Sequence, residues 1–204
     1  MIDDLAALAV GGTLALPAAR GDGPMSVEAA IARRRSCRRY APDPLTIDQV
    51  AQLLWAAQGV TNARGLRAAP SAGACYPVEV LVACEDGLFR YLPDDHAVAK
   101  AADGDLRRPL AAAALGQSFI ATAPVCLVLT AYYERTTSRY GERGLRYVYM
   151  DIACAAENVH LQAEALDLRS VAIGAFDDRQ VQRALGLDEE ESPLYLIPVG
   201  RSAG

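Results

Sequence analysis

Seven consecutive residues hold the densest chemical signal in this chain. Arg33-Arg34-Arg35-Ser36-Cys37-Arg38-Arg39 places five arginines in seven positions. Guanidinium groups stay charged at any relevant pH and grip phosphate oxygens in pairs. The run therefore reads as an anion site suited to a phosphorylated cofactor. The same residues also suit a solvated helix C-terminus, where arginines complement the helix dipole. A second segment, Pro70-Ser71-Ala72-Gly73-Ala74-Cys75-Tyr76-Pro77, precedes an apolar run. Its small side chains let the backbone approach a flat ligand and offer it N–H groups; the plain alternative is a tight loop. A third, Ile173-Gly174-Ala175-Phe176-Asp177-Asp178, ends a strand pattern at Gly-Ala and opens a helix at the aspartates. Such a junction either presents N–H groups to a ligand or merely turns the chain. Arg201, after the last apolar run, is either a further cation of the same site or a solvated terminal residue.

The chain that must position these residues has 204 residues, 20 Lys+Arg against 25 Asp+Glu, and a formal net charge of −5. With 52% apolar and 22% charged residues it is globular rather than disordered. An acidic balance argues against nucleic acid as a partner but leaves room for one local basic pocket. The five cysteines, Cys37, Cys75, Cys84, Cys126 and Cys154, form no CxxC pair, which fits a reduced, intracellular protein. His96 and His160 match no zinc spacing, and no metal is expected. Leu5 to Ala19 is apolar, yet it follows Asp3 and Asp4 and contains Gly11-Gly12 and Pro17. A secretory signal wants a positive start, and a bilayer span wants more length. The expectation is a cytoplasmic protein with no membrane partner. Residues 1–25 form a flexible or packing arm and 26–204 a single domain, long enough to bury one sizeable core.

Local patterns supply the elements. Ser26 caps a helix running to about Arg35. Thr46 and Gln49 form a capping box for a helix that stops at Gly59. Residues 61–77 carry no periodic pattern, and so long a loop inside a compact domain is usually functional or mobile. Val78–Cys84 and Leu88–Leu92 read as a hairpin about Glu85-Asp86-Gly87. Arg107 to Ile120 reads as one Ala-rich helix, and Pro124 to Tyr133 as a buried strand. Gly144 to Leu168 is the strongest helix, with Leu145, Val148, Ile152, Ala155, Val159, Ala163 and Leu166 in steps of three and four. Within it Cys154 and His160 are expected to be packing residues. Ser170–Phe176 reads as a strand, Asp178 caps a helix to Leu187, and Leu194–Val199 is the last strand. Asp94-Asp95-His96 is expected to be a solvated turn. The pattern is α+β with one open sheet.

Taken together, in this order and spacing, the signals resemble the nitroreductase superfamily of flavin enzymes. Arg34-Arg35-Ser36-x-Arg38 is similar to its N-terminal FMN motif, and Val171–Asp178 with Pro193–Arg201 to its C-terminal half. The Pro-Ser-Ala-Gly-x-x-Tyr-Pro loop is similar to the SagB-type thiazoline/oxazoline dehydrogenase branch. The resemblance implies a mixed, mostly antiparallel sheet flanked by helices, a long central helix, and a homodimer with FMN at two interface sites. It implies that Arg34, Arg35, Ser36 and Arg38 hold the FMN phosphate, ribityl chain and pyrimidine edge, with Arg201 on the phosphate. It sets Ser71, Ala72 and Gly73 along the isoalloxazine ring, and Gly174 and Ala175 near N5 and O4. Arg139 and Tyr140 take the catalytic position, Arg139 standing where the azoline dehydrogenases carry a lysine base. The implied activity is ping-pong, two-electron transfer at flavin N5 on a small organic substrate, with NADH or NADPH as candidate donor. The alternatives are azoline-type dehydrogenation of a modified peptide and a non-catalytic flavin-binding or scaffold role.

Overall fold

A strand covered on both faces must be apolar at successive positions, and one such strand organises the molecule. The computed structural model describes residues 3–203; Met1 and Ile2 of the expected arm, and Gly204 of the expected domain, lie outside the described residues. Strands β1 (Thr13–Ala15), β2 (Val78–Cys84), β3 (Gly87–Leu92), β4 (Ala97–Ala102), β5 (Val125–Tyr132), β6 (Arg169–Ser170) and β7 (Glu191–Gly200) form one sheet in the order β1-β4-β3-β2-β5-β7-β6. Each neighbouring pair is antiparallel. The helices are α1 (Asp3–Ala6), α2 (Val27–Arg33), α3 (Ile47–Gln58), α4 (Arg107–Ala113), α5 (Phe119–Thr122), α6 (Glu134–Tyr140), α7 (Arg143–Ala165) and α8 (Asp178–Leu185).

Every β5 residue except Tyr132 is buried. Leu127 and Leu129 face the layer made by Leu53 and Leu54 of α3 and Ile152, Ala155 and Val159 of α7. Cys126 and Val128 face the opposite layer, with Leu110 of α4, Ile120 of α5 and Val181 of α8. The result is three layers, with the sheet in the middle. At 23 residues α7 is roughly 35 Å long, and it packs across β2, β5, β7 and β6. The expected capping box of α3 is present: Gln49 N–H donates to the Thr46 hydroxyl and Thr46 N–H to the Gln49 side chain. Among the described residues no helix is long and apolar enough to cross a membrane.

Several sequence expectations need correction. The helix expected over Arg107–Ile120 is broken, because Leu115 and Gly116 both adopt left-handed backbone angles (φ 58° and 75°). The strand expected over Ser170–Phe176 shrinks to β6 plus a single bridge from Ile173 to Leu196. Helix α2 stops at Arg33 rather than Arg35, and Asp177, not Asp178, caps α8. The arm packs: β1 joins the sheet edge against β4, and Leu5 and Leu16 are buried. His96 is no solvated turn residue. Its Nε2 lies 2.8 Å from the Pro17 carbonyl and its Nδ1 2.9 Å from the Tyr91 hydroxyl, which ties the arm down. Cys154 is exposed rather than packed.

The start of β7 carries a buried charge. Glu191 is fully buried and accepts from Arg90 Nη1 and Nη2 at 2.9 and 2.7 Å, from the Thr130 hydroxyl, and from the Tyr132 hydroxyl at 3.1 Å. Burial alone would raise its pKa; the bonds from Arg90 and Thr130 outweigh burial and hold the carboxyl below the usual range. One side chain thereby locks β3, β5 and β7 together. Glu191→Ala leaves Arg90 only its longer 3.7 Å pair with Glu79 and leaves the Thr130 and Tyr132 hydroxyls without their acceptor, and is expected to cost about 3 kcal/mol, read by urea unfolding. Because folding lowers this pKa, the stabilisation is present above the unfolded value near 4.5 and fades as pH falls through the folded one. A loss under 1 kcal/mol at pH 7 contradicts the assignment.

Candidate functional site

The arginine run becomes a site through backbone pairing on two sides. Arg34 leaves the helix at the end of α2, and the chain then extends. Ser36 forms a parallel bridge with Ser170, and Cys37 N–H donates to the Ser170 carbonyl at 3.1 Å. Further on, Tyr40 pairs antiparallel with Ser202; Ala41 N–H donates to the Arg201 carbonyl at 2.9 Å and Ala203 N–H to that of Arg39 at 3.2 Å. Tyr40 itself is buried, its hydroxyl 2.6 Å from the Cys37 carbonyl and 3.0 Å from that of Pro198. Burial pushes that hydroxyl far above the usual tyrosine range, so it stays a donor. Gly200 permits the close approach: a Cβ there would stand 2.6 Å from Pro124 Cδ and 3.1 Å from the Tyr40 ring. The segment from Arg35 to Arg39, with Arg169 and Ser202, lines a cavity of about 290 Å³. Among the described residues Arg33, Arg35, Arg38, Arg39 and Arg201 form no ion pair.

Of the predicted cationic ligands and Ser36, Arg35, Ser36 and Arg38 line the cavity, and Arg34 and Arg201 do not. The Arg34 Nε lies 4.0 Å from Glu157 of α7. His160, one turn further along α7, is buried with its Nδ1 2.7 Å from the Ser170 hydroxyl. Burial, and then the charge of Arg34, push its pKa down to about 4, so it sits neutral beneath the arginine segment.

Gly174 and Ala175 join this half of the site. Ile173 exchanges two backbone bonds with Leu196, at 2.9 and 3.0 Å, and Ala175 offers its carbonyl to Gln117 Nε2 at 3.1 Å. Two residues on, the Phe119 ring lies under the Arg38 guanidinium at 6.0 Å. A Cβ on Gly174 would meet only Tyr195 Cε1, at 3.8 Å, so the backbone here is open on its outer side.

Residues 71–76 form a separate half. Gly73, Ala74 and Tyr76 all take left-handed φ values of 62°, 53° and 46°. Two non-glycine residues in that region carry strain, and the surroundings must hold it. Asp151, buried on α7, accepts from the Ser71 hydroxyl at 2.7 Å and from Ala72 N–H at 3.3 Å. The Ser71 oxygen in turn accepts from Tyr76 N–H at 2.9 Å. From the other side α6 adds two arginines one turn apart. Arg135 donates to the Tyr76 carbonyl and Arg139 to the Gly73 carbonyl, both at 3.1 Å. Arg139 also lies over the Tyr140 ring at 5.4 Å, and a Cβ on Gly73 would stand 2.5 Å from the Tyr140 hydroxyl. So the structure brings Arg139 and Tyr140 to the Ser71–Gly73 loop. Among the described residues no hydrogen bond, ion pair or ring contact joins this loop to the arginine segment or to Gly174–Ala175. The two halves are anchored at Asp151 and His160 of α7, roughly 14 Å apart along the helix.

Sequence reasoning missed Asp151, Arg135, Arg169 and Tyr40. Asp151 had a signal: an acid on the apolar stripe of α7, between Val148 and Ile152. Burial pushes its carboxyl up and the bonds from Ser71 and Ala72 only partly offset this, so it stays above the usual aspartate range. Asp151→Ala frees the loop and is expected to speed tryptic cleavage at Arg64 and Arg67 several-fold and to cost about 1–3 kcal/mol. Unchanged proteolysis would mean that Asp151 does not hold the loop.

The geometry has parallels among known proteins. A family model described as the nitroreductase family matches residues 31–201. A Methanocaldococcus jannaschii protein named as a nitroreductase is 43% identical over 183 residues, covering 87% of this chain and 91% of that one. A crystal structure named as a nitroreductase from Ralstonia eutropha superposes with a TM-score of 0.85 at 31% identity, over 94% of this chain and 90% of that one. The Vibrio harveyi NADPH:FMN oxidoreductase, solved with NAD+, shares the fold at a TM-score of 0.66 and 22% identity, over 87% of this chain and 69% of that one. The family match spans every predicted site residue from Arg34 to Arg201. The chain belongs to the nitroreductase family of oxidoreductases.

Proposed function

We propose that this chain is an FMN-dependent oxidoreductase that transfers two electrons, as hydride, to or from a small organic substrate. The observation that carries this reading is the cationic cavity. In a chain of net charge −5, Arg35, Arg38 and Arg39 surround one hollow with no carboxylate partner among the described residues. A phosphate ester carries close to two negative charges at neutral pH and fits such a donor set. The open backbone at Gly174 and the small residues of the Ser71 loop suit a flat ring.

When bound, FMN would supply the N5 position that accepts and donates the hydride. The chain's own residues then have distinct tasks. Ser36, Arg35 and Arg38 bind the phosphate end, with Arg34 and Arg201 adding charge at its margin. Arginine near the pyrimidine edge stabilises negative charge that develops there. Ser71 is already committed to Asp151 and Tyr76, so it shapes the loop while the Ala72–Gly73 backbone meets the ring. Arg139 is a permanent cation engaged with the Gly73 carbonyl and acts as a clamp rather than a base. Tyr140, beside Gly73, is left as the group placed to move a proton. The Pro70–Pro77 motif supports the SagB-type branch within this reading.

A homodimer is part of this reading: a second copy would set its Ser71 loop against the first copy's arginine segment. Exposed Leu145, Tyr149 and Met150 on α7 support α7 as the contact. NADH or NADPH is the proposed donor, as in the NADPH:FMN oxidoreductase that shares the fold.

Arg34→Ala combined with Arg201→Ala is expected to give a folded protein that binds FMN about tenfold more weakly, because two positive charges at the margin of the phosphate end are lost. Gel filtration with absorbance detection reads both flavin content and subunit number. Full flavin retention by the double variant contradicts the assignment of these two arginines.

A further inference from the structure

We propose that Arg169 is a phosphate ligand of the cationic cavity, held in place by the buried carboxylate of Glu164, and that this pair makes the site select phosphorylated over unphosphorylated flavin. The inference rests on the flavin reading above and adds two residues that the arginine motif does not contain.

The placement comes from β6, which consists of Arg169 and Ser170 alone. Ser170 receives the arginine segment through its bridge with Ser36 and its bond from Cys37 N–H. That register sets Arg169 beside the segment, and Arg169 lines the same 290 Å³ cavity as Ser36 and Arg38. Its side chain is 25% exposed while that of Glu164 is 2% exposed. Arg169 Nη1 lies 3.3 Å from Glu164 Oε2 and donates to the Leu168 carbonyl at 2.8 Å. Asp167 is 3.7 Å from Nη2 but 75% exposed, so water screens that pair. Nε and Nη2 make no hydrogen bond among the described residues.

A guanidinium is a flat fork with donors on more than one edge. Here one edge is held by the protein and the remaining donors belong to a group that lines the cavity. Glu164 Oε2 has no hydrogen bond of good geometry, so Arg169 is the cation that offsets its buried charge. The carboxylate removes the freedom of a long side chain, which lowers the entropy lost when an anion binds. It also neutralises part of the charge, so the contribution of Arg169 to the anion is that of one charge-assisted bond.

The test compares FMN with riboflavin, which differs from it only by lacking the phosphate. The full chain is stripped of flavin and titrated with each, following flavin fluorescence. Wild type is expected to bind FMN far more tightly. Arg169→Gln is expected to weaken FMN about tenfold, the worth of one charge-assisted bond, and leave riboflavin unchanged. Arg169→Lys keeps the charge without the fork and is expected to lie between; it also carries the test if the glutamine variant does not fold. Glu164→Gln is expected to lower the FMN-to-riboflavin preference by a smaller factor. If Arg169 variants lose both flavins equally, or keep the wild-type preference, Arg169 is structural and the proposal fails. If wild type itself does not distinguish FMN from riboflavin, the phosphate reading of the whole cavity fails with it.

Discussion

The two-sided pairing of residues 36–41 is the constraint on which the site depends. Like charges repel, and in most proteins clustered arginines are calmed by carboxylates. Here the cluster is held by main-chain hydrogen bonds instead: to Ser170 on one side, and to Arg201 and Ala203 on the other. Backbone pairing fixes geometry without spending the charge. The guanidinium groups of Arg35, Arg38 and Arg39 therefore carry no ion pair among the described residues, and an entering anion would relieve their mutual repulsion. Gly200 and Tyr40 make the pairing possible, one by yielding space and the other by bonding two carbonyls from beneath.

Helix α7 converts this local device into a site. Asp151 on its first half holds the strained 71–76 loop, while Glu157, His160 and Glu164 on its second half meet Arg34, Ser170 and Arg169. A single rigid element thus fixes both the 71–76 loop and the arginine segment in one frame. Its inner face is fastened to the sheet by Ile152, Ala155 and Val159. Buried polar residues beside that apolar stripe are costly in a helix that only packs, and Asp151, His160 and Glu164 each meet a residue of these two segments.

The parts that could be read from sequence are those whose signals are local. The capping box at Thr46 and Gln49, the apolar β5 run and the periodic stripe of α7 are short-range patterns; the first two form as expected, and the stripe is buried from Val148 to Ala163 while Leu145 at its start is exposed. The arginine run and the Gly73 loop were visible because their residue types are unusual in sequence. What stayed hidden depends on distant partners. β4 is the Ala-rich segment Ala97–Ala102, which has weak strand propensity and is a strand only because β3 and β1 pair with it. Helix α4 ends early because the Leu115–Gly116 turn overrides an Ala-rich helical composition. Arg169 carried no local mark at all; its role appears only once Ser36 and Ser170, far apart in sequence, are side by side.

Whether the cationic cavity holds the phosphate of a flavin decides how this protein works. The most direct measurement is the absorbance spectrum of the purified full chain, before and after incubation with FMN and desalting, with released flavin identified by mass. The account predicts flavin bands in the usual region near ~450 nm and FMN as the released species. A colourless protein that also fails to retain added FMN would contradict it and leave the nitroreductase fold without the cofactor its arginines are arranged to bind.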